Sequence, residues 1–420
     1  MTQHRTRASR DRPVVVLHVG EPKTGTTFLQ HLMWTNRAEL HQHGIVYPGP
    51  RANAHWRASQ DLREIKQAPD DPAPSFSGEW DRIVQKALKA PRAGVISHEL
   101  LSAATPDQAA RGLRSLESAE LHVALTVRDM GSLLPAEWQE TVKHRNTRPW
   151  RDWLDDVIDV ESPRPDRRDF TFWLMHDTMA ILDAWSQGIP PERVHVITMP
   201  RDGSSTLLWE RFATLLDIDP AIADTSRVRA NASLGAPEIE MVRRLNERIP
   251  ANYPDWSYIW FVKDTLAHGP LARRPKDGRL TLPRERRDWA FACADELTNA
   301  LTKSGYDIIG DLDELIPRFS DEPSPEPQDA SSEQMFDAAL DSMTVLLARM
   351  EALRAKGREA APGAANQPPQ SKLKAWVIEA SETHPMVGRM RVAYWRIRHI
   401  GRRLGAMARR AAGNGDRSAT

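Results

Sequence analysis

The sequence has very little cysteine: Cys293 is the one cysteine among 420 residues. A single cysteine excludes an intramolecular disulfide and fits a reducing compartment. Cys293 falls in a helical pattern over residues 289–302, where it is interpreted as a small buried hydrophobic residue. Hydrophobic residues make up 40% of the chain, which is enough to form a core in one large domain with appendages or in two domains.

Long apolar segments are also missing. No stretch approaches about 18 uninterrupted apolar residues, so the sequence predicts no membrane-spanning helix. Residues 1–13 form a polar, basic arm without the apolar core of a secretory signal, and we expect no export through such a signal.

Net charge is absent as well, because 57 lysine and arginine residues balance 57 aspartate and glutamate residues. This balance gives no general attraction to nucleic acid, and we expect a cytoplasmic protein that does not bind it.

Four segments rich in apolar and β-branched residues predict buried strands, and helical patterns lie between them. The predicted strands cover 14–19, 94–97, 121–127 and 194–199, and the predicted helices cover 27–41, 79–90, 105–118, 135–144 and 172–187. This alternation predicts an α/β fold with a parallel sheet flanked by helices. Ligands bind at the carboxyl ends of the strands in such sheets, so the residues that follow each strand are the first candidates for chemistry.

The remainder of the chain is predicted to be helical and then tail-like. We assign residues 14–319 to the main domain. The next segments are a proline-, serine- and acid-rich linker (320–334), a helix (335–356), a second linker (357–370) and a basic helical tail (371–420). Ten lysine and arginine residues stand against two glutamates in 371–411, interleaved with large apolar side chains. Two interpretations stay open for this C-terminal extension: docking to the inner membrane surface or to a partner, and a flexible solubilising segment.

The most informative segment follows the first predicted strand. Gly20 and Gly25 bound a hydroxyl-rich turn that reads Pro22-Lys23-Thr24-Gly25-Thr26-Thr27, and a helix follows. A strand, a glycine loop and a helix in this order direct several backbone N–H groups at one point, and the helix dipole adds attraction for an anion. The two glycines keep the four-residue gap of a Walker loop, but Lys23 lies inside the gap. Two simpler interpretations are a threonine-rich helix cap and a generic nucleotide loop.

This turn resembles the 5′-phosphosulfate loop of the sulfotransferases that use 3′-phosphoadenosine 5′-phosphosulfate (PAPS). The resemblance implies a P-loop-like, three-layer α/β domain that moves a sulfonate group from PAPS to a hydroxyl of a small molecule, glycan or glycolipid, with no metal required. In that family, the amides and hydroxyls of the loop hold the 5′-phosphate, and the lysine contacts the bridging oxygen. The matching residues here are Lys23, Thr24, Gly25, Thr26 and Thr27.

A base is expected at the end of a neighbouring strand, and the strand predicted over 94–97 leads into His98 and Glu99. Members of the family use either a histidine or a glutamate. Glu99 is preferred slightly, because the histidine of the cytosolic small-molecule members follows a Lys-Thr pair that is absent here. Adjacent residues of an extended segment point in opposite directions, so one of the two is expected to enter the site. The alternative is that both only cap the next helix.

The strand predicted over 121–127 is followed by Arg128 and Asp129. This segment resembles the 3′-phosphate-binding segment of the family, in which an arginine follows the strand and a serine lies some eight residues later. Arg128 matches, whereas Ala136 stands where the serine is expected and the nearby serine is Ser132. The 3′-phosphate is therefore assigned either to Arg128 with Ser132, or to Arg128 with backbone donors and other basic groups. A structural pair between Arg128 and Asp129 is the alternative.

The helix predicted over 135–144 presents polar and aromatic residues that either line the acceptor cleft or form a solvated face. They are Trp138, Gln139, Lys143, His144 and, just beyond the helix, Arg145.

Two other functions fit the sequence. A nucleotide-dependent kinase would need a carboxylate for Mg²⁺ after a strand, and Asp129 is the candidate. A non-catalytic scaffold would bind a nucleotide for structure and dock through its basic tail. ATP consumption would identify the first, and binding without turnover the second.

Overall fold

The computed structural model of the protein describes residues 12–66, 75–158, 171–228, 233–276, 280–320 and 326–359. The chain divides into two compact units, Met1–Leu346 and Leu347–Thr420. The predicted basic tail over 371–420 and most of the N-terminal arm lie outside the described residues. Within the described part, no helix has the length and apolar character that crossing a membrane requires.

A parallel sheet forms the centre of the first unit. Its strands within the described residues are β1 (Val14–His18), β2 (Ile45–Val46), β3 (Ala93–Ser97), β4 (Glu120–Val127), β5 (Val194–Thr198) and β6 (Asp307–Ile309). They lie in the order β2-β3-β1-β4-β5-β6, and every neighbouring pair is parallel. The predicted α/β class and the four predicted strands are confirmed. The sequence pattern missed β2 and β6, because strands of two and three residues carry no periodic pattern.

Helices surround the sheet and continue beyond it. The α-helices of the described residues are α1 (Thr26–Thr35), α2 (Arg37–Gln42), α3 (Ala54–Leu62), α4 (Glu79–Ala87), α5 (Pro106–Ser115), α6 (Met130–Lys143), α7 (Trp150–Val157), α8 (Thr171–His176), α9 (Thr178–Trp185), α10 (Ser205–Leu215), α11 (Ala236–Arg248), α12 (Asp255–Tyr258), α13 (Pro270–Arg273), α14 (Arg287–Ser304) and α15 (Ser332–Glu359). A π-helix over Ile259–Ala267 continues α12.

Two of the predicted helices are each divided in two. The pattern over 27–41 is α1 followed by α2, with Asn36 between them, and the pattern over 172–187 is α8 followed by α9. Asp177 separates α8 from α9, because its carboxylate accepts a hydrogen bond from Ala180 N and caps α9. Apolar spacing continues across such a break, so periodicity alone does not find it.

The strands of the sheet are buried on both faces. Val15 and Leu17 join a core with α3, α4, α5 and α9, whereas Val14 and Val16 join a second core with α1, α2 and α10. Successive side chains of a strand point to opposite faces, so this division places helices on both sides of the sheet.

A third apolar core lies among the helices that follow β4. It is rich in tryptophan, with Trp138, Trp150, Trp153 and Trp173 among its members. Ala338 of α15 is fully buried in this core, and Arg274 pairs with Asp341. Pro327, within the segment predicted as a linker over 320–334, is also buried. The first unit therefore extends past residue 319, the end predicted for the main domain.

The strand order creates a switch point between β1 and β4. The chain leaves β1 toward β2 on one side and leaves β4 toward β5 on the other side. In open α/β sheets, ligands bind at the carboxyl ends of the strands at such a point. The loop after β1 and the residues after β4 therefore border the same crevice.

Candidate functional site

The loop between β1 and α1, residues 19–25, has the backbone geometry of an anion cradle. Lys23 and Gly25 have φ angles of 61° and 86°. Gly25 is the N-cap of α1, and no side chain of the described residues caps this helix. A Cβ atom on Gly25 would lie 2.3 Å from Leu208 Cδ2, so both the backbone angle and the available space require glycine. The first turn of α1 thus presents amide groups at the carboxyl edge of the sheet without a side-chain acceptor.

The threonines of the loop have different surroundings. The Thr24 side chain is buried, and its hydroxyl donates to Glu21 O at 2.6 Å and contacts the hydroxyl of Thr126 in β4. Thr26 is buried as well, whereas Thr27 is exposed. Thr24 therefore ties the loop to β4 with its hydroxyl.

Lys23 extends from the loop to α6. Its Nζ lies 2.5 Å from Glu140 Oε2, and the same carboxylate contacts Lys143 Nζ at 3.0 Å and Lys263 Nζ at 2.7 Å. Burial opposes the ionised form of Glu140, but the three ammonium groups outweigh burial and hold the pKa of that carboxyl well below its usual range. Sequence reasoning missed Glu140 and Lys263, because each lies more than a hundred positions from Lys23.

His98 and Glu99 follow β3 and have separate roles in the structure. His98 Nδ1 accepts a hydrogen bond from Leu100 N at 3.2 Å and caps the 3₁₀ turn over Glu99–Ala103. Glu99 Oε2 accepts from Gln30 Nε2 of α1 at 2.7 Å. The Glu99 side chain is 23% exposed, against 9% for His98. His98 therefore acts as a helix cap, as the alternative interpretation expects. Glu99 instead contacts α1, the helix that begins at the loop.

The two side chains influence each other's pKa. Burial lowers the pKa of His98, although the Glu99 carboxylate opposes this effect. Burial alone would raise the pKa of Glu99, but its interactions with His98 and Gln30 outweigh burial, and Lys23 adds a further attraction. The pKa of Glu99 is therefore below its usual value, and the carboxylate is ionised at neutral pH.

His18, which sequence reasoning did not single out, joins three strands at the edge that carries the loop. Its Nδ1 lies 2.8 Å from Ser97 Oγ in β3, and its Nε2 lies 3.3 Å from Thr126 Oγ1 in β4. Burial lowers the pKa of His18 to about 4, so it is neutral here. The sequence signal that could have identified His18 is a histidine within an otherwise apolar strand.

The residues after β4 meet the loop directly. Arg128 Nη1 donates to Lys23 O at 3.2 Å. Asp129 caps α6 by accepting from Ser132 N at 2.8 Å, and the helix therefore begins at Met130, before the predicted start at residue 135. Arg128 is thus placed against the loop, and the Asp129 carboxylate serves as a helix cap.

A buried acid–histidine cluster lies beside the loop. His176 Nδ1 is 3.5 Å from Glu21 Oε2, and His176 Nε2 is 3.6 Å from Glu137 Oε2. Thr178 donates to Glu21 Oε1 at 2.5 Å. Burial alone would lower the pKa of His176, but the two carboxylates outweigh burial and raise it to about 9. The His176 imidazolium is therefore charged at neutral pH, and with Thr178 it holds Glu21, which immediately follows Gly20, in a fixed position.

Three elements distant in sequence thus meet at one end of the sheet: the loop after β1, Glu99 after β3 and Arg128 after β4.

Comparisons with protein-family models, curated proteins and solved structures found no match for this chain. The chemistry assigned to the site therefore depends on its residues and their geometry.

Proposed function

We propose that the protein transfers a sulfonate group from PAPS to a hydroxyl acceptor, which is a small molecule, a glycan or a glycolipid. The observation that carries the proposal is the loop over 19–25, with Lys23 inside it and an α-helix behind it whose N-terminus no side chain caps within the described part of the chain. The parallel sheet with its switch point beside this loop supports a P-loop-like type of α/β fold.

The reaction needs an oriented nucleophile, a base and positive charge at the leaving group. In the proposed step, the acceptor oxygen forms a bond to sulfur while the bond from sulfur to the bridging oxygen breaks. Glu99 takes the proton of the acceptor hydroxyl, and Lys23 neutralises the charge that develops on the leaving phosphate. Glu99 is ionised at neutral pH and can therefore accept this proton, and His98 caps the turn that carries it.

Lys23→Ala tests the proposal most directly. The assay incubates the full chain with sulfur-labelled PAPS and a panel of hydroxylated acceptors, and it measures label in the acceptor. We expect the substitution to lower turnover by about 10²- to 10³-fold, the range found when a group that stabilises transition-state charge is removed. Lys86→Ala, at an exposed position of α4, is the matched control and should behave like the unmodified chain.

The same assay separates the alternatives. If the unmodified chain shows no transfer and also does not bind adenosine 3′,5′-bisphosphate, the sulfotransferase proposal is excluded. ATP consumption would favour a kinase, for which Asp129 would have to give up its cap on α6. Nucleotide binding without turnover would favour a scaffold.

Arg128→Ala tests the proposed binding of the 3′-phosphate of the nucleotide. Arg128 and Ser132 are the proposed 3′-phosphate residues. Arg128 contacts the loop at Lys23 O, and Ser132 lies in the first turn of α6, where its N–H donates to Asp129. The substitution should weaken binding of adenosine 3′,5′-bisphosphate by about 10- to 150-fold, the loss typical of a charge-assisted hydrogen bond. Binding of adenosine 5′-phosphosulfate, which has no 3′-phosphate, should change much less. Equal losses for both ligands in calorimetry would make Arg128 a structural residue.

A further inference from the structure

The cluster around Glu140 carries more positive charge than its one carboxylate balances. Three ammonium groups, from Lys23, Lys143 and Lys263, contact this carboxylate. Glu99 and Glu137 also attract Lys23, so the excess positive charge lies at Lys143 and Lys263, which share Glu140. The side chains of Lys143 and Lys263 are only 10% and 18% exposed. Burial lowers the pKa of the Lys143 ammonium, although Glu140 opposes this effect. An anion bound beside Lys143 and Lys263 would favour their charged forms.

The titratable groups beside Lys143 and Lys263, other than Glu140, do not supply that anion. Lys263 Nζ donates to His144 Nε2 at 2.9 Å, and burial together with Lys263 lowers the pKa of His144. Burial, Lys143 and Lys263 lower the pKa of His268 as well. Asp264 lies 3.7 Å from His268 and is 54% exposed, so water screens its charge. Both histidines are therefore neutral near pH 7, and the lysine charges remain unbalanced.

We propose that Lys143 and Lys263 bind an anionic group of the acceptor, namely a carboxylate, sulfate or phosphate. This assignment depends on the proposed sulfotransferase function and narrows its acceptor class to molecules that carry a negative charge as well as a hydroxyl. A lysine ammonium is a compact charge that suits such groups without demanding one geometry. Glu140 then acts as a positioning residue that holds the three ammonium groups together.

The position of the cluster separates its anion from the 3′-phosphate of the nucleotide. Arg128 precedes α6 and Lys143 ends it, and at ~1.5 Å per residue this separates them by about 20 Å along the helix. Lys23 lies between the two, because its carbonyl oxygen contacts Arg128 while its ammonium contacts Glu140. An anion at Lys143 and Lys263 is therefore on the far side of Lys23 from the proposed 3′-phosphate site.

Inorganic sulfate is the probe for the first experiment. Calorimetry measures its binding to the full chain with adenosine 3′,5′-bisphosphate at saturation. We expect Lys143→Gln and Lys263→Gln each to weaken sulfate binding by about 10- to 100-fold and to leave bisphosphate affinity within about threefold. Lys263→Arg keeps the charge and should retain binding. Lys86→Gln is the control and should match the unmodified chain.

Glu140→Gln should change sulfate binding in the opposite direction. Removing the carboxylate releases its hold on three ammonium groups, so sulfate should bind more tightly than to the unmodified chain. If the lysines serve only as partners of Glu140, this variant loses stability without any gain in sulfate affinity, and the proposal is overturned.

A matched pair of acceptors forms the second experiment: a hydroxylated carboxylic acid and its neutral amide. The unmodified chain should prefer the acid in kcat/KM, and Lys143→Gln should reduce that preference by about tenfold or more. An unchanged ratio would overturn the proposal. The proposal would also be overturned if the lysine variants lost affinity for the bisphosphate but still bound sulfate. That result would mean that the lysines bind the nucleotide. If the unmodified chain binds no bisphosphate but the lysine variants still lose sulfate, the sulfotransferase function fails while the anion site stands.

Discussion

Replacing Glu99 by glutamine is expected to lower turnover by about 10²- to 10⁴-fold, the range found when a general base is removed. Glutamine keeps the shape and the contact with Gln30 but takes no proton, so affinity for adenosine 3′,5′-bisphosphate should change little. Steady-state transfer from labelled PAPS gives the turnover number, and calorimetry gives the affinity. The combination of lost turnover and retained binding would identify a base rather than a binding residue.

His98→Asn is the control for that prediction. His98 uses Nδ1 to cap the turn over Glu99–Ala103, and asparagine keeps an acceptor of similar reach. This variant should therefore lose less activity than Glu99→Gln. A dead His98→Asn enzyme beside an active Glu99→Gln enzyme would reverse the proposed order of the two residues and leave the rest of the site unchanged.

Replacing His176 by alanine is expected to lower the free energy of unfolding by about 3–5 kcal/mol, the cost typical of breaking a buried ion pair from one side. Without the imidazolium, the carboxylates of Glu21 and Glu137 face each other in a buried place. Denaturant unfolding near pH 6 measures the change. His41→Ala, at an exposed position of α2, should unfold like the unmodified chain. Equal stability of His176→Ala and the unmodified chain would show that the cluster carries no net stabilisation.

The same cluster gives stability a defined pH dependence. The pKa of His176 is about 9 in the folded chain, against 6.5 for an ordinary histidine. Its contribution is therefore fully present below about pH 6.5 and is lost as the pH rises through 9, a change of about 3 kcal/mol. The unmodified chain should lose this stability over that window, and His176→Ala should not.

The sequence by itself determined the sheet and the loop. Continuous apolar runs predicted β1, β3, β4 and β5, because parallel strands buried on both faces leave little room for polar residues. The loop around Lys23 was also visible, because a strand, two glycines and a helix start lie within one short segment. Both are local patterns, and a local pattern can be seen without knowing what packs against it.

Only the tertiary structure decided which charged side chains meet. Glu140 and Lys263 reach Lys23 from α6 and from the π-helix, and His176 lies between two glutamates that are far apart in the chain. No spacing in the sequence reports such contacts, because they depend on how the helices after β4 fold over the carboxyl edge of the sheet. A hydrophobic run in the sequence predicts its own burial. The partner of a buried charged side chain depends instead on how distant elements pack, and the pKa of that side chain depends on the partner.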